Sequence, residues 1–361
     1  MDLTTTYLGL PLTSPLVASA SPLTLSVANI ERLAARGAGA VVLPSIFQEQ
    51  IEAEEDAVEA RLSVGSESSP EATSYFPNLN TYTVGTKPYL DVIRRARAAV
   101  GIPVVASLNG TTDEGWIEFA KQIEDAGAHA LELNVFFIPA DASLSAGDVE
   151  QRYLDIVHSV KSTVSLPVAV KLNPYFSAPL ALARKLKEAG ADGIVLFNRF
   201  YEPDIDLDTL SLQKDLQLSR RQEIRLPLLW TAVFAGRVDL SLAATSGVET
   251  WEEAVKYLLA GADVVMTTSA LLRNGVDYMA VLVDGLAAWM KARRFSSLSD
   301  FRGALSQKRV ADPTAYERAN YIKILHEYRQ TVPSTTGRPA APFASYTNDP
   351  VAIRLPGSST L

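Results

Sequence analysis

The stretch AGADGIVLFN, Ala189 to Asn198, joins the end of a helix directly to a short apolar run, and the chain repeats this build. RGAGAVVLPS at Arg36 to Ser45, AGAHALELNV at Ala126 to Val135 and AGADVVMTTS at Ala260 to Ser269 follow the same plan. In each, a glycine suits the position just past a helix, where a left-handed backbone ends the spiral. The aliphatic run that follows shows no alternation of polar and apolar residues, so it suits a strand buried on both faces. Each unit therefore reads as the αβ half of a βα repeat.

Working outward, GIPVVASLNG at Gly101 to Gly110 and LPVAVKLNP at Leu166 to Pro174 put a proline ahead of a further strand, and PLVASAS and LAATSG complete the set. The expected strands lie near residues 16–20, 40–44, 103–108, 129–134, 168–172, 193–197, 240–245 and 263–267. Helical patterns fall between them. Trp116, Ala120 and Ile123 share one helical face, and Thr250 with Glu253 forms a capping box ahead of Ala254, Tyr257 and Leu258. Eight buried strands alternating with helices predict an α/β fold, a parallel (β/α)8 TIM barrel, with an open doubly wound sheet as the alternative.

Two segments depart from the repeat. Residues 47–90, after the second strand, carry the acidic run QEQIEAEEDAVEA and the stretch SSPEATSYFPNLNTY. An insertion at that end of a barrel strand is where active-site loops sit, although the acidic run by itself reads as a solvated helix face. Residues 334–361 are rich in Pro, Ser and Thr and read as a C-terminal arm or tail beyond a barrel spanning 1–333.

Composition narrows the function classes. With 47% hydrophobic and 20% charged residues the chain can bury a full core. The net charge of −8 offers nothing to nucleic acid or an anionic membrane surface. Without a single cysteine, disulfides, thiolate nucleophiles and iron–sulfur clusters are excluded. His129, His158 and His326 stand at no metal or triad spacing, so no metal site is expected. The absence of a leader-like start and of a run of about 18 apolar residues predicts a soluble, cytoplasmic protein. The tail and the barrel faces leave room for a homodimer.

In a parallel barrel the chemistry sits at the C-terminal strand ends. Strands seven and eight end in ATSGVET and MTTSALLRNG, whose small residues let backbone amides approach a phosphate; the competing reading is that Ser and Thr only cap helices. Lys171 interrupts the apolar strand VAVKLNP near its end. An ammonium there is costly without an anion or polar ligand. It can form a Schiff base, bind a carboxylate, favour the reduced form of a flavin, or sit in an internal salt bridge.

ASASPLT (Ala18–Thr24), LELNV, VAVKLNPYF, ATSGVET with WEEAVKYLLAGA, and MTTSALL stand in the order and spacing of dihydroorotate dehydrogenases of the soluble type, which the chain resembles from about residue 3 to residue 310. The resemblance implies an FMN-dependent oxidoreductase of pyrimidine biosynthesis, taking dihydroorotate to orotate. It implies that Ala18, Ser19, Ser107, Asn134 and Lys171 meet the flavin ring and that Ser246, Gly247, Thr268 and Ser269 hold its phosphate. It also implies that Asn78 and Asn198 approach a small-molecule substrate, and Ser45, a polar residue at a strand end, is a further candidate for that contact.

The substrate side departs from that family. Where the family places a Cys or Ser base, three residues after the asparagine, this chain has Phe137, and a family asparagine two residues further on is Pro139. The lysine after the second strand is Pro44 and a loop asparagine is Ala72, while YFPN at Tyr75 to Asn78 is retained. One lost hydrogen bond to a buried polar group costs about 1 to 3 kcal/mol, and a missing general base about 10² to 10⁴ in rate. An altered substrate is expected, in a pocket made more aromatic by Phe136, Phe137, Tyr75, Phe76 and Tyr175. Ser45, Tyr75 and Tyr175 are the side chains left as proton acceptors. Two other readings remain: a lyase or isomerase of a phosphorylated substrate with Lys171 as nucleophile, and a non-catalytic flavin-binding scaffold.

Overall fold

A computed structural model describes residues 1–47, 86–109, 113–199, 202–213, 215–318, 320–322 and 324–325. Eight parallel strands close into a barrel. In chain order they are β3 (Leu16–Ala18), β4 (Ala40–Phe47), β5 (Val104–Asn109), β6 (Ala130–Asn134), β7 (Val168–Leu172), β8 (Gly193–Leu196), β11 (Ser241–Ala244) and β12 (Val264–Thr267), with β12 pairing back onto β3. All eight expected strands are present, and closure rules out the open sheet.

Strand parity divides the core in two. Leu16, Val41, Leu131, Val170 and Leu196 point outward and pack on Ile30, Trp116, Val160, Leu186 and Tyr257 of the surrounding helices. Val17, Val42, Val105, Ala130, Ala169, Val195, Ala243 and Met266 point inward and fill the barrel. Burial on both faces is why the strands read as unbroken apolar runs. The helix α3 (Asp113–Asp125) presents Trp116, Ala120 and Ile123 to that outer layer, each with no exposed surface, as their spacing predicts.

The barrel floor was not expected from the sequence. Strands β1 (Thr5–Tyr7) and β2 (Leu10–Leu12) form a hairpin whose two-residue turn, Leu8 and Gly9, has positive φ at both positions (53° and 75°), the backbone that matches strand twist. Tyr7, Leu8 and Leu12 pack into the barrel interior. The Leu8 N–H donates to Ser241 Oγ at 2.9 Å, and a Cβ at Gly193 would meet Leu8 Cδ2 at 2.5 Å. The hairpin plugs the end of the barrel opposite the active-site face.

Helix ends match the glycine punctuation. The helix α7 (Trp251–Ala260) ends at Gly261, which is left-handed with φ 118°. At its start the buried Glu253 carboxylate accepts from the Thr250 N–H at 2.9 Å and hydroxyl at 2.7 Å, so the predicted cap forms.

The second barrel strand is longer than expected and irregular. Its register with β5 shifts between Val42 and Ser45, where Pro44 stands. Proline cannot donate to a ladder and is tolerated at a bulge. Phe47 ends this strand and Thr86 opens the helix α2 (Thr86–Ala99), so both ends of the 47–90 stretch belong to regular elements. Residues 48–85, and with them Ala72, Tyr75, Phe76 and Asn78, lie outside the described residues, as do His326 and 334–361.

Candidate active site

The strand parity that fills the barrel also aims Ser19, Ser107, Glu132, Asn134 and Lys171 toward its C-terminal mouth. Ser19, Lys171, Asn198, Ser246, Thr268 and Ser269, all singled out from the sequence, line one cleft of about 270 Å³ together with Arg199 and Ser219. That size lies near the lower end of small-molecule pockets, about 300 Å³.

At the deep end, Lys171 is 9% exposed and its Nζ lies 3.3 Å from Glu132 Oε1. The internal salt bridge that the sequence left as one alternative is therefore present, and the lysine borders the cleft as well. Beside it a chain of hydrogen bonds crosses the mouth. Asn198 Nδ2 donates to Asn134 Oδ1 at 2.9 Å, Asn134 Nδ2 donates to Ser45 Oγ at 3.3 Å, and Ser45 Oγ lies 2.8 Å from Ser107 Oγ. The bulge at Pro44 is what turns Ser45 inward, because the extra residue places it opposite Ser107. Tyr89 fixes the end of β5, donating to the Ser107 carbonyl at 3.1 Å and accepting the Ser107 N–H at 2.9 Å. Burial pushes its phenol far above the ordinary range, so it stays neutral. Ala18 faces the outer core, has no exposed surface and does not line the cleft.

Ser246, which also lines the cleft, belongs to the turn after β11, where it and Gly247 are two successive residues with positive φ (79° and 70°). Tyr257 holds this turn by donating to the carbonyls of Thr245 and Ser246 at 3.0 and 2.8 Å. A Cβ at Gly247 would lie 2.7 Å from Ile224 N, so only glycine fits there. The Gly247 N–H donates to Ser219 Oγ at 3.3 Å, and Ser219 Oγ lies 2.9 Å from Ser269 Oγ. Neutral hydroxyls and amides gathered on a tight turn are the donor set for a phosphate. Ser219 was not singled out from the sequence. It stands 50 positions before Ser269 in a segment without periodicity, so nothing local marks it.

The residues fit a flavin mononucleotide in two respects. The hydroxyl-lined turn suits its phosphate and the lysine suits an electron-rich ring edge. Two buried polar atoms near the mouth, Asn109 Nδ2 and Glu132 Oε2, also have no hydrogen-bond partner among the described residues.

Phe137 lies elsewhere. Its ring sits under the Arg152 guanidinium, 4.4 Å from its centre, and with Ile138, Pro139, Tyr175 and Phe176 it lines a second cleft of about 510 Å³. Phe137 and Tyr175 thus make that neighbouring cleft aromatic, not the one beside Lys171. Tyr175 is 68% exposed there. Of the proton-acceptor candidates, the described residues leave Ser45 at the mouth. His129 accepts from the Val104 N–H at 3.1 Å and is structural, His158 is exposed, and no metal-binding group occurs among the described residues.

The closed parallel (β/α)8 barrel, with a lysine and a hydroxyl-lined turn at one cleft, defines the class of the fold. Within that class, residues 3–290 match the sequence model of the family described as Dihydroorotate dehydrogenase, and the chain belongs to that family. The catalytic subunit of dihydroorotate dehydrogenase B (NAD(+)) from Pyrococcus abyssi is 25% identical over 304 residues, covering 82% of this chain and 96% of that protein. The corresponding subunit from Methanocella arvoryzae is 28% identical over 278 residues, 76% of this chain and 88% of its own. The NAD-dependent dihydropyrimidine dehydrogenase subunit PreA of Escherichia coli is 23% identical over 227 residues, 55% of this chain and 52% of that protein.

Proposed function

We propose that this protein is an FMN-dependent oxidoreductase acting on a carbon–carbon single or double bond of a small molecule other than dihydroorotate. The observation that carries the reading is the cleft that Lys171 and Ser246 both line. Its relatives named as dihydroorotate and dihydropyrimidine dehydrogenases support it.

When bound, FMN supplies the hydride acceptor. Ser219, Ser269 and the Gly247 amide would hold its phosphate, and Lys171 would stabilise the charge the ring gains on reduction. Asn134 and Asn198 would orient an amide or carbonyl of the substrate, and Ser45 would accept its proton. Phe137 supplies no base, and Pro139 offers no side-chain donor, so a charged pyrimidine lacks its usual partners. Glu132 Oε1 engages the Lys171 Nζ at 3.3 Å, which competes with its use as a Schiff-base nucleophile.

The first experiment is to purify the protein and release its ligand by denaturation. A yellow protein yielding FMN is expected; a colourless protein that takes up no FMN would sink the reading. An anaerobic screen of reductants and acceptors, with dihydroorotate as first entrant, then tests the substrate. Rapid bleaching of the flavin by dihydroorotate would overturn the altered specificity.

We also infer a homodimer in the cytoplasm. No helix among the described residues is long and apolar enough to cross a membrane. After β8, the hairpin of β9 (Asp204–Asp206) and β10 (Ser211–Gln213) carries Ile205, Leu207, Leu210 and Leu212, and Leu216 follows, all at least 60% exposed. A patch of that kind marks a contact surface. Pairing it with the same patch of a second copy would cover these leucines in a two-fold contact. Leu216 also lines the ligand cleft, which places the contact beside the site.

A further inference from the structure

Glu132 and Lys171 project inward from neighbouring strands, with Glu132 opposite Ala169 and Asn134 opposite Lys171 in the register. Around them the barrel interior is aliphatic, built from Val105, Ala130, Ala169 and Val195. Glu132 is 1% exposed, and its only ion-pair partner among the described residues is Lys171. Its second oxygen, Oε2, has no hydrogen-bond partner among the described residues, and neither does the buried hydroxyl of Tyr7 on the floor hairpin. Burial holds the Tyr7 proton far above the ordinary phenol range, and the negative charge of Glu132 adds to that. The carboxylate is therefore felt along the barrel axis as well as at the lysine. A buried ion pair is a poor way to gain stability, because apolar residues of the same volume pack there without desolvating charge. The pair asks for another explanation, and it borders the ligand cleft.

We propose that Glu132 is a positioning residue that sets the charge Lys171 presents to a bound flavin. It holds the ammonium against the cleft wall and offsets part of its field. A lone lysine at this place would strongly favour the electron-rich reduced ring and retain the electrons there. With Glu132 behind it, the ring is stabilised enough to take a hydride and weakly enough to pass the electrons on. The carboxylate lies farther from the cleft than the ammonium does, so it weakens the positive field without cancelling it. This inference rests on the flavin reading above.

The test is a redox equilibrium of the FMN-loaded protein against a reference dye. Glu132→Gln keeps an oxygen for the Lys171 hydrogen bond and removes only the charge. At a fixed ambient potential the ratio of reduced to oxidised flavin should rise at least about tenfold over the wild type. Lys171→Gln should move the ratio the other way, and by less when Glu132→Gln is also present, because the opposing carboxylate charge is then gone too. An unchanged ratio in Glu132→Gln with flavin bound overturns the proposal. Should that variant not fold, Glu132→Asp keeps the charge but withdraws it by one methylene, and a smaller rise is expected; no rise again overturns the proposal. A protein that takes up no FMN overturns the flavin reading instead. The pair is then read separately from the nitrogen-15 shift of the Lys171 ammonium, and a shift that Glu132→Gln leaves unmoved removes the pairing itself.

Discussion

Ser45 and Ser107 face each other across β4 and β5 with their hydroxyl oxygens 2.8 Å apart, and they do so because the register slips by one residue at Pro44. Without that slip Ser45 would point into the helix layer. Ser45→Ala removes its bonds to Ser107 and Asn134, at a cost of about 1 kcal/mol in stability. If Ser45 accepts the substrate proton, reduction of the bound flavin by its best donor should slow by about 10² or more. Stopped-flow absorbance checks this, and an unaltered rate with flavin bound would assign proton acceptance to another residue.

Gly247 is held at φ 70° with Ile224 N where a Cβ would stand. Gly247→Ala should lower stability by about 1 to 3 kcal/mol and distort the turn that carries the phosphate donors. The expected result is a lower melting temperature together with FMN affinity weakened by about tenfold or more, measured by fluorescence titration. Equal loss of stability with full FMN affinity would place the phosphate elsewhere.

Glu253 illustrates a pH effect with a definite sign. Burial pushes its carboxyl up, but hydrogen bonds from Thr250 and from Arg221, 3.0 Å away, outweigh that and hold it below the usual 4.5. A depressed carboxylate stabilises the fold above its unfolded value, and that contribution is lost as the pH falls through the folded value. Denaturant melts of wild type and Glu253→Gln should therefore differ most near neutral pH and converge below about pH 4. A difference that stayed constant across this window would show that the charge is not what matters.

The leucine-bearing hairpin offers a direct test of assembly. Leu207 and Leu210, 80% and 83% exposed, should tolerate substitution in a monomer. Leu207→Glu with Leu210→Glu should convert a dimer to a monomer of unchanged secondary structure, seen by sedimentation and circular dichroism. A wild type that already sediments as a monomer would remove the homodimer reading.

Much of the fold is legible because it is local. Glycine after each helix, proline before a strand and unbroken apolar runs act within about ten residues, and all eight strands follow from them. The Lys171 and Ser246–Gly247 features stand out for the same reason: a charge inside an apolar strand and small residues at a strand end are visible in their own segments. The 47–90 stretch shows the limit at its borders, since Phe47 continues a strand and Thr86 to Leu90 already form a helix. Pro44 looked like a lost lysine and proved to be the bulge that aims Ser45.

What the sequence by itself determined was the barrel, its repeat and the family, since each depends on patterns carried within short segments or in their order. Only the tertiary structure decided that Glu132 pairs with Lys171 across 39 positions, that Ser219 joins Ser269 across 50, that Leu8 at the start of the chain closes the barrel onto Ser241, and that Phe137 faces away from the cleft. Those contacts join residues far apart in the chain, and they are set by strand order, register and parity around a closed sheet, which no single segment encodes.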